Sequence, residues 1–502
     1  MARRADNDLV ETAAATSSIA RALALFRAGR LGAAEHVIST AFADHDAPAD
    51  ALALMGLIAY ERGRFDLAEA WHRRALAAKP QEALYRCNLA TPFVARGRLD
   101  EAIAIYLEVL RTEPAHLEAA AGLTDALEKK GNLDEAAELL ATYLRANQIT
   151  PRMAVIYGRI LLRRGDDDAF FDFIREQLAR SDVRGAARRS MLFMLGTALD
   201  RRGDVDGAFR AFAEANAIDS RPFDIETVRR KFDAITAVFS RDRLPSLPRS
   251  ECADELPVFI VGMPRCGSTL IEQIIHAHSR GHGAGETTDL AAALRALPDL
   301  VAGGLPFPAG AANLTPPAVN ELASTYLDRL RKYAPRARRI ADKALENFQR
   351  LGMISLMLPA ARVIHVRRHP MDLCLSCYMR DLPPQMHPYS TDLANLGLYY
   401  REYARLMDHW REAADLRMLE FDYEALVAEP EVQTRRLIDF LDLEWDERCL
   451  RFHEARRDVV TLSYDQVRRP IYRSASGRWQ RYRHHLGPLI EALGDALPGG
   501  VE

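Results

Sequence analysis

The sequence predicts an all-α solenoid of helical repeats followed by a P-loop-like α/β domain with a mainly parallel sheet. Two observations carry this expectation. A glycine-centred phrase returns at a fixed period through the first half of the chain. In the second half, short apolar runs end in glycine- or arginine-rich turns that lead into helical patterns, the strand–turn–helix order of a parallel α/β sheet.

The repeat is read first. Gly29-Arg-Leu, Gly63-Arg-Phe, Gly97-Arg-Leu, Gly131-Asn-Leu and Gly165 stand 34 residues apart, and Gly203 follows after 38. Each glycine suits the end of one helix, and the small residue five positions later lets a partner helix approach. Pro80 and Pro114 mark helix exits, Phe170 takes a small-residue position, and Pro151 falls early in its repeat. By period and turn positions this stretch resembles the tetratricopeptide repeat over residues 17–220. The resemblance implies a groove that binds a peptide or a partner, or that pairs the chain as a homodimer. Residues 221–255 read as a lead-in helix and a proline-bearing linker, and 256–495 as the second domain.

Composition bounds the rest. The 502 residues carry 67 Lys+Arg against 70 Asp+Glu, a net charge of -3, with 48% hydrophobic and 27% charged residues. That is a foldable composition whose charge argues against a nucleic-acid partner. No apolar run approaches the ~18 residues of a membrane span, and the start MARRADNDLV lacks the apolar centre of a signal peptide. Six cysteines make neither a disulfide framework nor a four-ligand zinc site, and Cys374 and Cys377 read as buried thiols. The expectation is a cytoplasmic protein without a metal.

The second half opens on Pro257-Val-Phe-Ile-Val, then Gly262-Met-Pro-Arg-Cys-Gly-Ser-Thr269, then the helical pattern LIEQIIHAH. Gly262 and Gly267 have the spacing of a nucleotide phosphate loop, with Ser268 where that loop has its lysine. Backbone N–H groups at the helix start still suit an anion, with Arg265 as cation and Ser268 and Thr269 as hydroxyl donors. Loss of the lysine speaks against an ATP-using kinase. Ala361-Arg-Val-Ile-His-Val-Arg-Arg-His-Pro repeats the strand–turn–helix order, placing Arg367 and Arg368 at a strand end and Ser376 on the following helix.

Taken together, these motifs resemble the sulfotransferases that use 3′-phosphoadenosine 5′-phosphosulfate (PAPS), over residues 256–485, and are most similar to the tyrosylprotein sulfotransferases. The resemblance rests on Pro264–Thr269, Gly283-Ala-Gly-Glu-Thr-Thr288, Ala341-Asp-Lys343, Phe421-Asp-Tyr-Glu424 and Ser463-Tyr-Asp-Gln-Val467. It implies that Arg265, Cys266, Gly267, Ser268 and Thr269 hold the 5′-phosphosulfate, and that Arg368 and Ser376 bind the 3′-phosphate. Tyr423 would lie against the nucleotide, and Arg473 and Arg478 would sit in a late loop closing over it. Glu286 becomes the base for the acceptor hydroxyl, while Lys343, Arg265 and Ser463 stabilise the departing phosphate. Three departures stand out. Cys266 replaces a hydroxyl residue, Gly285 replaces a glutamate, and Thr288 replaces an arginine that in the family helps hold an acidic peptide.

The favoured acceptor is a protein or peptide tyrosine recruited by the repeats. A carbohydrate or small-molecule hydroxyl is the enzymatic rival, and a non-catalytic scaffold that senses nucleotide is the other. Cys266, in a helix-start anion loop beside Arg265, is expected to have a depressed thiol pKa and to react with thiol reagents. His276 and His278 fall over two turns past the loop, too far along the helix for a catalytic role.

Overall fold

A computed structural model describes residues 16–42, 47–454 and 476–498. The chain divides into two compact units, one ending at Met194 and the other beginning at Leu195.

The first unit is a run of helices, from 16–27 and Leu31–Ala41 to Pro151–Arg164 and Asp167–Ala179. Neighbouring helices pack on one another in chain order. The five repeat glycines of this unit, like Gly203 in the second unit, adopt left-handed backbone, with φ between 68° and 96°, the conformation that ends a helix at little cost only for glycine. Five residues on, Ala34, Ala68, Ala102, Ala136 and Ala208 are fully buried at helix contacts. Phe170 takes that place in the fifth repeat and is equally buried, lying against Gly158 of the preceding helix. Pro151 is the first residue of its helix, with Thr150 capping the Met153 N–H at 3.2 Å. A proline there removes an N–H that has no helical partner anyway.

The second unit begins with helices α1 (Val205–Ile218) and α2 (Ile225–Val238). Helix α2 packs into it through Phe232 on Phe348 and through an ion pair from Arg229 to Glu402. Five parallel strands follow: β1 (Pro257–Val261), β2 (Gly281–Gly285), β3 (Arg339–Asp342), β4 (Arg362–Arg367) and β5 (Arg417–Asp422). Their order is β2-β3-β1-β4-β5, with every pairing parallel. Strand β1, buried at all five positions, occupies the centre. The helices that matter for the site are α3 (Ser268–Ala277), α4 (Pro316–Leu330), α5 (Pro370–Tyr378) and α6 (Leu393–Ala413). Among the described residues, no helix is long and apolar enough to cross a membrane.

With β1 between β3 and β4, chain connections leave the central strand in both directions. A crevice opens at such a switch point, outside the carboxyl ends of the strands.

Candidate active site

All five strands are parallel, and the carboxyl end of each delivers part of the site. From β1 comes the loop 262–267, whose shape depends on its glycines. A Cβ at Gly262 would meet the Val366 carbonyl oxygen at 2.9 Å. Gly267 caps α3 at φ 106°, and a Cβ there would lie 2.5 Å from the Tyr423 ring. Arg265 has φ 71°, a left-handed conformation that costs a non-glycine residue about 1–2 kcal/mol. That conformation accompanies a side chain whose Nε donates to Ser376 Oγ at 3.3 Å. Ser268 and Thr269 open α3 and are both buried.

From β4 comes Arg368, which donates to the Arg265 carbonyl at 3.0 Å and lies 4.9 Å from the centre of the Tyr423 ring. Tyr423 follows β5 and packs between Gly267 and Arg368. Arg265, Arg368, Ser376, Gly267 and Tyr423 are therefore gathered around one helix start.

The edge strands supply the other half. Lys343 follows β3 and is only 1% exposed; its Nζ donates to Glu286 Oε1 at 2.6 Å and lies 3.8 Å from Glu272 Oε2. The Lys343 N–H donates to the Gly285 carbonyl at 2.9 Å, joining the ends of β3 and β2. Glu286, just after β2, keeps 61% of its side chain exposed. It lies outside α-helix, since the next helix starts at Asp289.

Behind this pair sits Asp342, fully buried. It accepts from the hydroxyls of Thr287 and Tyr326 at 3.0 Å each and from the Ala344 N–H at 3.0 Å. Burial pushes its carboxyl up to about 6, against the three hydrogen bonds that favour the anion. Asp342 thus ties together the neighbours of both members of the pair, Thr287 beside Glu286 and Ala344 beside Lys343.

Cys266 does not behave as its position in the sequence suggests. Its side chain is fully buried, and burial raises the thiol, outweighing hydrogen bonds from Ser268 and the charges of Arg368 and Lys343. Loss of solvent around a thiolate wins over nearby positive charge. Cys266 accordingly fills space under the loop. Cys374 and Cys377 are buried thiols, and Cys377 Sγ donates to the Pro264 carbonyl at 3.2 Å. His276 Nδ1 accepts from the Gly283 N–H, while His278 uses both ring nitrogens to hold Arg280 N–H and the Glu444 carbonyl.

Ser463 and Arg473 lie outside the described residues. Arg478 lies within them, and its guanidinium pairs with Asp200 at 2.6 Å. Its neighbours Gly477 and Trp479 donate backbone N–H groups to Asp372 on α5, at 2.6 and 2.9 Å. The late loop is thus fastened to the helix that carries Ser376.

Glu272, Asp342, Thr287 and Asp372 were not singled out from sequence. Glu272 left one readable trace: it is a carboxylate among Ile271, Ile274 and Ile275, and all four are buried.

Arg265 and Arg368 meet at a glycine-shaped helix start, and Lys343 ends the strand next to β1, an arrangement whose chemistry suits an anion. The family of this domain follows from comparison with known proteins. Residues 257–447 match the sulfotransferase family, and residues 19–83 and 93–160 match the tetratricopeptide repeat. The second half of the chain carries a sulfotransferase-family domain, and the first half carries tetratricopeptide repeats.

Among relatives, an uncharacterized protein of Aquifex aeolicus is 32% identical over 314 residues, covering 61% of this chain and 41% of that protein. A putative protein-tyrosine sulfotransferase of Caenorhabditis briggsae is 24% identical, covering 47% of this chain and 88% of its own length. The protein-tyrosine sulfotransferase of Drosophila melanogaster is also 24% identical, covering 48% and 52% respectively. The chain therefore spans well under two thirds of the Aquifex and Drosophila proteins. Among solved structures, the sulfotransferase domain of the Synechococcus PCC 7002 olefin synthase aligns at a TM-score of 0.34, with 23% identity over 46% of this chain and 89% of that one.

Proposed function

We propose that the second half of this chain, residues 256–495, is a PAPS-dependent sulfotransferase acting on an acceptor hydroxyl. In the same proposal the acceptor is a protein or peptide tyrosine, and the repeats over 17–220 recruit it. The observation that carries the reading is the Lys343–Glu286 pair, set beside the loop 262–269 at the carboxyl edge of the sheet.

The residues present fit the donor. Gly267, lacking a Cβ, lets the Tyr423 ring lie against the start of α3, where Arg265 and Arg368 meet, and Lys343 stands beside Glu272 of the same helix. The loop and Arg265 would hold the 5′-phosphosulfate; Arg368 and Ser376 would hold the 3′-phosphate, with Tyr423 beside the nucleotide. When bound, the donor supplies an activated sulfuryl group, whose sulfur bonds to the acceptor oxygen as its bond to the phosphate oxygen breaks.

Glu286 has the exposure a base needs to meet an incoming hydroxyl, and it takes the acceptor proton on a carboxylate oxygen. Lys343 is its opposite: almost without solvent, its ammonium is held on a strand end and stabilises negative charge on a phosphate oxygen more strongly than an exposed lysine would. Glu272 on one side and Glu286 on the other keep that buried charge compensated before substrate arrives. Asp342 positions both through Thr287 and Ala344.

One observation favours a second acceptor. Thr288, uncharged, stands where the tyrosylprotein enzymes carry an arginine for acidic peptides, which suits a sugar or small-molecule hydroxyl. Transfer from radiolabelled donor to tyrosine peptides and to sugars separates the two, and transfer to sugars alone would overturn the tyrosine reading. Glu286→Gln is expected to lower kcat by about 10²–10⁴, the usual worth of a general base, with bisphosphate affinity kept within about tenfold. Full activity in Glu286→Gln and in Lys343→Ala would remove the site.

A further inference from the structure

The last described segment, 476–498, returns to the second unit through a dense set of polar contacts. Arg478 and the Tyr482 hydroxyl both reach Asp200 at 2.6 Å. Immediately after them come His484 and His485. Both direct Nε2 at one and the same oxygen, Oδ1 of Asp206, at 2.8 and 2.7 Å. Asp206 stands in the first turn of α1. The two imidazoles lie with their centres 4.0 Å apart, and that of His485 is stacked flat on Phe209 at 4.1 Å and 3°. His485 is thus held by packing, while His484 and Asp206 remain about 60% exposed.

Two ring nitrogens and a carboxylate oxygen within 4.8 Å of one another form a coordination-ready set. Two neutral imidazoles with one carboxylate suit borderline transition metals, whereas Mg²⁺ and Ca²⁺ call for oxygen ligands. Metal–nitrogen bonds of about 2.0–2.1 Å and metal–oxygen bonds of about 2.0–2.2 Å put tetrahedral donors about 3.4 Å from one another. The nitrogens must therefore draw back from Oδ1 by about 0.6 Å, a movement that an exposed His484 and an exposed Asp206 permit. Water would complete the coordination on the open side. The nearby positive charge is partly answered, since Arg478 and Arg481 face Asp200, the latter at 3.5 Å.

We propose that Asp206, His484 and His485 bind a divalent transition-metal ion of the zinc class, clipping the returning C-terminal segment to helix α1. The site is independent of the sulfuryl-transfer reading: it lies on other residues and its test reads no activity. The ligands come from two stretches far apart in sequence: His485, preset by Phe209, with its neighbour His484, and Asp206 on a helix some 280 residues earlier.

The test is calorimetric titration of the untagged, chelator-treated full chain with Zn²⁺. One saturable site is expected, with affinity reduced at least tenfold in His484→Ala and in Asp206→Asn. Those two variants decide the matter because both positions are exposed, while His485→Ala also disturbs packing on Phe209. Cu²⁺ bound at the same stoichiometry should show two imidazole nitrogens by electron paramagnetic resonance, and Mg²⁺ should not compete. Hydrogen exchange of residues 478–490 should slow with Zn²⁺ in the unmodified chain and not in Asp206→Asn. Equal Zn²⁺ affinity in the unmodified chain and both deciding variants would overturn the proposal, as would a Cu²⁺ signal lacking the two nitrogens.

Discussion

Asp342 offers a pH-dependent signature that follows directly from its surroundings. Its carboxyl is buried without solvent and pushed up to about 6 from an ordinary 3.8. The folded chain therefore holds this proton more tightly than the unfolded chain does. The contribution to stability is greatest below about pH 4, falls as pH rises toward about 6, and is flat above that. At about 1.4 kcal/mol per pH unit, the total change is about 3 kcal/mol. Asp342→Asn removes the ionisation while keeping the shape. The amide oxygen still accepts from Ala344 N–H, and the amide nitrogen donates to the hydroxyls of Thr287 and Tyr326, each of which can rotate to accept. The stability gap between the unmodified chain and Asp342→Asn should shift against the unmodified chain by about 2.4 kcal/mol between pH 4 and pH 7. For a unit of roughly 300 residues this is about 4 °C in the melting transition. Differential scanning calorimetry of the full chain across that range reads it. Two melting curves that move in parallel with pH would refute the reasoning, and a gap moving the other way would mean that the hydrogen bonds, and not burial, govern the carboxyl.

Lys343→Met should lower stability by about 3 kcal/mol, because Glu272 then keeps a buried carboxylate without the facing ammonium; Glu272→Gln in the same chain should restore part of the loss in chemical denaturation. Gly267→Ala forces a Cβ to 2.5 Å from the Tyr423 ring at φ 106°, so bisphosphate affinity measured by titration should fall at least tenfold. Cys266 should react slowly with a thiol reagent whether or not bisphosphate is present, since the thiol is buried and raised; labelling within seconds would contradict its placement.

The parts of this architecture that are legible in the sequence are those encoded by local spacing. Gly63 and Ala68 carry the turn and the helix contact within five residues, and the loop 262–269 lies between a strand and a helix that flank it directly. The residues that were missed act over distance. Glu272 meets Lys343 across 71 positions and Thr287 meets Asp342 across 55, and no periodicity records either pairing. The burial of Cys266 is not legible in the sequence for the same reason. Position in a loop is readable from spacing, but burial depends on what packs above it, and desolvation outweighs the field of Arg368 and Lys343.

The near-zero net charge conceals how differently neighbouring arginines are used. Arg339 and Arg362, buried in β3 and β4, pair with Glu255, and Arg362 also pairs with Asp442. These are structural pairs, since removing one partner would strand a buried guanidinium. Arg367 and Arg368 are adjacent in sequence yet diverge at the end of β4. Arg367 turns outward to Glu420 and Asp422 on β5, at 2.5 and 2.9 Å. Arg368 turns inward onto the Arg265 carbonyl and the Tyr423 ring. The end of the strand explains the split: Arg367 is the last residue of β4, in register with Asp422 of β5, whereas Arg368 is the first residue past it and faces the loop of β1. The acidic partners on β5 hold one arginine on the outer face, and the other remains beside the helix start, where a phosphate is best received. An Arg368→Lys change should therefore weaken bisphosphate binding at least tenfold, because a point charge cannot both donate to the loop carbonyl and fork onto phosphate. The same change at Arg367 should leave binding within twofold, and equal losses at the two positions would show that both arginines serve the ligand.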